Sequence, residues 1–156
     1  MKSKKQIITI IAIIVLLGIG LYGVNKGSII EVLGAKAGIV VGYRGDIPKI
    51  EETKTINLDE DVRFGWIIIV EDMDRDISWQ ETVVFPEKPK NLTVTKDTRI
   101  SSDGKKAITK RSSNLEDGII YNVWGLDKSD PIGEYEIKVH GEGKLLKEFK
   151  FEARKK

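Results

Sequence analysis

Glu134-Tyr135-Glu136-Ile137-Lys138-Val139-His140 sets a polar side chain against an apolar one at every step. Successive side chains of a β-strand point to opposite faces, so Tyr135, Ile137 and Val139 would line a core while Glu134, Glu136, Lys138 and His140 meet water. Ile77, Trp79, Val83 and Phe85 keep the same period, interrupted by Glu81. Ile67-Ile68-Ile69-Val70 and Ile119-Ile120-Tyr121 are apolar on both parities, which predicts central strands covered on both sides. Near the end, Phe149, Phe151 and Ala153 share parity with Leu145, and Lys147 breaks it, the mark of a bulge or a guarded edge.

From Gly38 onward the chain repeats this texture, and no window sustains a 3.6-residue period. The candidate strands are Gly38 to Tyr43, Lys54 to Leu58, Phe64 to Val70, Ile77 to Phe85, Leu92 to Thr95, Ala107 to Lys110, Ile119 to Leu126, Glu134 to His140 and Leu145 to Ala153. Turn chemistry divides them at Arg44-Gly45-Asp46-Ile47-Pro48, Pro86-Glu87-Lys88-Pro89, Ser101-Ser102-Asp103-Gly104, Asp127-Lys128-Ser129-Asp130-Pro131 and Gly141-Glu142-Gly143. Roughly seven to nine strands at this spacing predict an all-β fold of two packed antiparallel sheets.

The other end of the chain has a different character. No charge falls between Lys5 and Lys26, and Ile7 to Val24 is apolar apart from one threonine. As a helix rising about 1.5 Å per residue this run covers roughly 27 Å, enough for a hydrocarbon core of about 30 Å and longer than the core of a cleaved signal. Lys2, Lys4 and Lys5 would stay in the cytoplasm and the remainder would lie outside. The expected organisation is a basic cytoplasmic tail over 1–6, a transmembrane anchor or signal over 7–24, a linker over 25–36 and a β-sandwich over 37–156. Ala35 and Ala37 form the best small-residue cleavage pair, but they lie well past the apolar core, which favours an uncleaved single-pass anchor in the cytoplasmic membrane. A domain released after cleavage, secreted or periplasmic, is the alternative.

The chain carries 26 basic and 24 acidic residues, a formal +2. Three of those lysines precede the apolar run, so the extracytoplasmic portion has no excess of positive charge to draw it to phosphates, and nucleic acid is not an expected partner. There is no cysteine, which excludes disulfide staples and a lipidated N-terminal cysteine.

Phe64-Gly65-Trp66 opening a strand, Trp124 in a late strand, Asp130-Pro131-Ile132-Gly133-Glu134-Tyr135-Glu136-Ile137, and Gly143-Lys144-Leu145-Leu146 leading to Phe149-Lys150-Phe151 form a recurrent set. With these residues the stretch from Ala37 to Ala153 resembles uncharacterised bacterial extracytoplasmic domains with an immunoglobulin-like sandwich. The resemblance implies that fold and a domain of unknown function, with no family active site to carry over.

Chemistry-bearing clusters are few. Asp72, Asp74 and Asp76 alternate in what reads as a turn, as oxygen ligands for calcium would, yet Ile77 and Val83 stand where an EF-hand requires glycine and glutamate. His140 is the sole histidine, so neither a nitrogen-and-sulfur zinc site nor a signalled general base can be assembled around it. Ser101-Ser102 and Ser112-Ser113 near Lys105, Lys106 and Lys110 lack the companion motifs of a serine-lysine enzyme, and Lys96 to Asn114 reads as a flexible connection holding one short strand. Gly141-Glu142-Gly143 is a hairpin turn rather than a phosphate loop, and Asn91-Leu92-Thr93 is an incidental glycosylation sequon. Trp66 and Trp79 belong to the core by pattern, while Trp124 is a candidate for stacking on a sugar ring.

No cofactor is expected, and the pattern lacks the titratable clusters of an enzyme. The sequence therefore points to a non-enzymatic binding or scaffolding module at the outer face of the cytoplasmic membrane, meeting an envelope protein partner. An envelope carbohydrate-binding module is the alternative. An envelope hydrolase using Asp74 and Asp76 is less favoured, because neighbours in a turn do not span a cleft.

Overall fold

A computed structural model describes residues 30–71, 73–115 and 117–155. The apolar run from Ile7 to Val24, and with it the expected anchor, lies outside the described residues. The described chain forms ten strands: β1 (Val32–Arg44), β2 (Ile47–Glu52), β3 (Thr55–Asn57), β4 (Val62–Val70), β5 (Met73–Val84), β6 (Thr98–Ile100), β7 (Lys106–Leu115), β8 (Ile119–Leu126), β9 (Gly133–Gly141) and β10 (Lys144–Arg154). They build a four-stranded sheet in the order β2-β1-β4-β8 and a six-stranded sheet in the order β3-β10-β9-β5-β7-β6. All pairings are antiparallel except β3 with β10, so the sandwich is not the wholly antiparallel one expected.

Alternation works as the opening stretch requires. Tyr135, Ile137 and Val139 of β9 are buried, together with Phe64, Trp66 and Ile68 of β4 and Ile77, Trp79 and Val83 of β5. Phe151 stacks between Phe64 at 4.1 Å and Tyr135 at 4.7 Å, and Trp66 meets Trp79 edge to face at 5.5 Å, so aromatic contact joins the two sheets. The hydroxyl of Tyr135 donates to the Pro131 carbonyl at 2.8 Å, fastening the turn into β9 to the core. On the wet face Lys138 and Lys150 bridge Glu134, Glu136 and Glu148 at 2.5 to 3.9 Å. These half-exposed pairs set solubility more than stability.

Several boundaries differ from the pattern-based ones. β1 begins at Val32, inside the stretch expected as linker, because Val32, Ala35 and Ala37 pack on the core. β2 was not expected: Pro48 and its charged neighbours conceal it, and it lies at a sheet edge, where a missing N–H is tolerated. Leu92 to Thr95 is not a strand: it flanks the groove beside β8 without pairing with it, and the short strand in this region is β6. The strand expected at Ala107 to Lys110 is present but longer, since β7 runs on through the polar residues expected to be flexible and sets Ser112 and Ser113 opposite Ser78 and Ile77 of β5.

The two strands expected to be central part company. β4 lies inside its sheet, and Ile67 is shielded between Lys36 and Tyr121 across the ladder, though Ile69 is exposed. β8 stands at the sheet edge, its outward Ile119, Tyr121 and Val123 only half-buried. The break at Lys147 is a bulge, since the β9–β10 register shifts between Leu145 and Lys147.

Candidate functional site

Glu81 is the residue that breaks the apolar period of β5, and it is fully buried between the sheets. β5 cannot turn this one side chain outward without reversing Trp79 and Val83 as well, so the carboxylate must find its partners inside. It does so on the facing sheet. Trp66 Nε1 of β4 donates to Oε1 at 2.5 Å, Asn122 Nδ2 of β8 to Oε2 at 2.7 Å, and Trp124 Nε1 of β8 to both oxygens at 3.1 Å. Burial pushes the Glu81 carboxyl above the usual carboxylate range, opposed by the three donors and by the nearby positive charge of Arg111.

A second shell steadies the first. Arg111 on β7 donates to Asn122 Oδ1 at 3.2 Å, which leaves the Asn122 amide nitrogen free to face Glu81. Its guanidinium lies 5.9 Å from the Trp79 ring centroid and 3.8 Å from Asp97. Trp79 Nε1 is in turn satisfied by Ser113 Oγ at 2.8 Å. The cluster is a polar clamp between the two sheets. Sequence reading registered Glu81 only as an interruption; a lone acid amid an inward apolar parity, with two tryptophans on partner strands, was the available signal.

Beside the clamp, Asn122, Trp124 and Arg111 line a groove of about 540 Å3 between β8 and residues 91–98. Along this side β8 pairs with β4 alone, and among the described residues its other edge makes no main-chain bond. Trp124 faces inward with its indole N–H committed to Glu81, and only part of its ring reaches the groove.

The remaining sequence candidates scatter. Asp72 lies outside the described residues, whereas Asp74 and Asp76 belong to β5 rather than to a turn, and Asp76 accepts from Asn114 Nδ2 at 3.1 Å. Among the described residues no three of His, Cys, Asp and Glu gather as a metal site. His140 lines a different, open groove on the outer face of the six-stranded sheet, and its Nδ1 is shielded from solvent without a hydrogen-bond partner. Ser101 Oγ is held by Asp103 at 2.5 Å, and Ser112 Oγ by the Ile77 carbonyl at 3.2 Å.

Comparison with known proteins bears on the fold. A family model described as the PM0630 beta sandwich domain matches residues 36–154. No curated protein matches the sequence. Among solved structures, an immunoglobulin-like protein from Pseudomonas aeruginosa is similar with a TM-score of 0.52 and 16% identity, over 83% of this chain and 100% of that one. The PmoD soluble domain from Methylocystis sp. is similar with a TM-score of 0.42 and 13% identity, over 80% of this chain and 97% of that one. The first of these likenesses assigns an immunoglobulin-like sandwich, consistent with the Tyr135–Pro131 fastening at the start of β9.

Proposed function

We propose that this chain, which belongs to the PM0630 beta sandwich domain family, is a membrane-anchored extracytoplasmic module that binds a protein partner and catalyses no reaction. One observation carries the reading: the edge of β8. Natural sheets guard their edges with charge, proline, bulges or brevity. Here β3 and β6 are three residues long, and β2 carries Pro48, Lys49, Glu51 and Glu52. β8 alone runs Ile119-Ile120-Tyr121-Asn122-Val123-Trp124-Gly125-Leu126 with no charge, no proline and an unbroken register against β4. Such an edge suits strand addition by an extended, uncharged segment of another protein, its main chain completing the ladder and its side chains entering the groove beside Trp124.

The apolar run from Ile7 to Val24 supports a tether, which would raise the effective concentration of the module for partners on the same membrane. Photo-cross-linking from position 123 in the full chain within intact envelopes tests the proposal, with position 49 on β2 as the control edge. A reproducible protein adduct from 123 and none from 49 is expected, and Tyr121→Lys should cut its yield several-fold without moving the unfolding midpoint. Equal adducts from both positions, or none from 123, would refute strand addition at β8.

A further inference from the structure

We infer that the outer face of the six-stranded sheet carries a second binding site, one for a saccharide bearing a carboxylate or phosphate group. Lys110 on β7, Gln80 on β5 and His140 on β9 stand in one row of the ladder, Gln80 opposite both of the others. With neighbouring strands about 4.8 Å apart, the row presents three nitrogen-bearing side chains across roughly 10 Å. The adjoining row pairs Ser112 with Ser78, adding two hydroxyl oxygens, of which that of Ser112 donates to the Ile77 carbonyl and can still accept. These residues share one open groove of about 800 Å3, which Lys96 and Asp97 border from the segment leading into β6.

The charge on this surface is not balanced. The two acids at the groove are each held by an arginine: Arg75 takes both carboxylate oxygens of Glu142, and Arg111 lies 3.8 Å from Asp97. Asp76, the next outward residue of β5 beyond Ser78, accepts from Asn114. Lys96 and Lys110 have no ion-pair partner among the described residues. His140 Nδ1 makes no hydrogen bond to any described residue.

An oxyanion suits the Lys110 ammonium with the amide and imidazole beside it, and the neighbouring hydroxyl row suits the hydroxyls of a sugar. The groove lies in the size range of ligand pockets, about 300 to 1,000 Å3, and exceeds the needs of a lone ion. Neither row holds a tryptophan, tyrosine or phenylalanine, so recognition here rests on charge and hydrogen bonds rather than stacking. This site is on another face from the β8 edge and stands or falls separately from strand addition.

Isothermal titration of the full chain in detergent tests it with three probes: a glucuronate-containing tetrasaccharide, the same tetrasaccharide with its carboxyls reduced to alcohols, and inorganic phosphate. The acidic tetrasaccharide should bind at least tenfold more tightly than its reduced form and more tightly than phosphate. Lys110→Gln and His140→Phe should each weaken it at least fivefold at an unchanged unfolding midpoint. The proposal is overturned by equal binding of the acidic and reduced sugars, by phosphate binding as tightly as the sugar, by Lys110→Gln leaving the affinity unchanged, or by no heat from the acidic probe at millimolar concentration.

Discussion

Trp66 of the four-stranded sheet donates its indole N–H to Glu81 of the six-stranded sheet at 2.5 Å, and neither side chain has measurable contact with water. A carboxylate so placed would be prohibitive without partners, and Asn122 and Trp124 supply the rest. All three donors come from one sheet and the acceptor from the other, so the cluster fixes how the sheets are set against each other as well as how firmly.

Removing Glu81 should therefore cost more than burying an apolar group there returns. Glu81→Leu strands two indole N–H groups and an amide in the core, and a loss of about 3 kcal/mol or more is expected. Glu81→Gln keeps one acceptor and should lose roughly half as much. Urea unfolding of the two variants would check this; a Leu variant as stable as the parent would show that the clamp contributes nothing.

Tyr135→Phe isolates the fastening at the start of β9. The ring contacts with Phe151 and Phe85 remain, while the bond to the Pro131 carbonyl is lost. A cost of about 1 to 3 kcal/mol is expected, because that carbonyl belongs to a buried residue and is left without its donor. The readout is the denaturation midpoint at an unchanged slope.

Two glycines should respond to alanine for different reasons. A Cβ on Gly38 would lie 2.0 Å from the Glu51 carbonyl oxygen and 2.8 Å from the Thr53 nitrogen, main-chain atoms that can move only if β2 leaves β1. Gly38→Ala should cost at least about 1 to 3 kcal/mol and expose β2 amides to hydrogen exchange. Gly143 has open space around it but sits at φ +82°, so Gly143→Ala should cost about 1 kcal/mol and disturb only the β9–β10 hairpin.

These residues show which features a sequence displays. Tyr135, Ile137 and Val139 announce their strand because one face is wet and the other dry, so period two survives. β2 is hidden because an edge strand with a proline and charges buries too little to leave a period. Leu92 to Thr95 misleads in the opposite direction: propensity is local, and this segment lies across a groove from the free edge of β8 without main-chain bonds to it. Ile119 to Leu126 looked like a covered strand, yet apolar residues on both parities mark equally well an edge left open. The Glu81 cluster was the least legible, since it joins β4, β5 and β8 across the sandwich and no sequence spacing encodes that meeting.

The clamp also gives stability a pH dependence of unusual sign. Glu136, Glu142 and Glu152 are held below the usual range by cationic neighbours and favour the fold as pH rises. They lie at the surface, exposed or half-exposed, so their contribution is small. Glu81 is shifted upward by burial, so between its unfolded and folded values the native state holds a proton that the unfolded chain has released. In that window the unfolded state binds fewer protons and stability falls as pH rises, levelling off once Glu81 ionises in the folded protein. Unfolding free energy measured from the usual carboxylate range upward should therefore decline for the parent and stay flatter for Glu81→Gln, which cannot titrate. Parallel curves for the two proteins would show that Glu81 is already ionised at the acidic end, its three donors outweighing the cost of its burial.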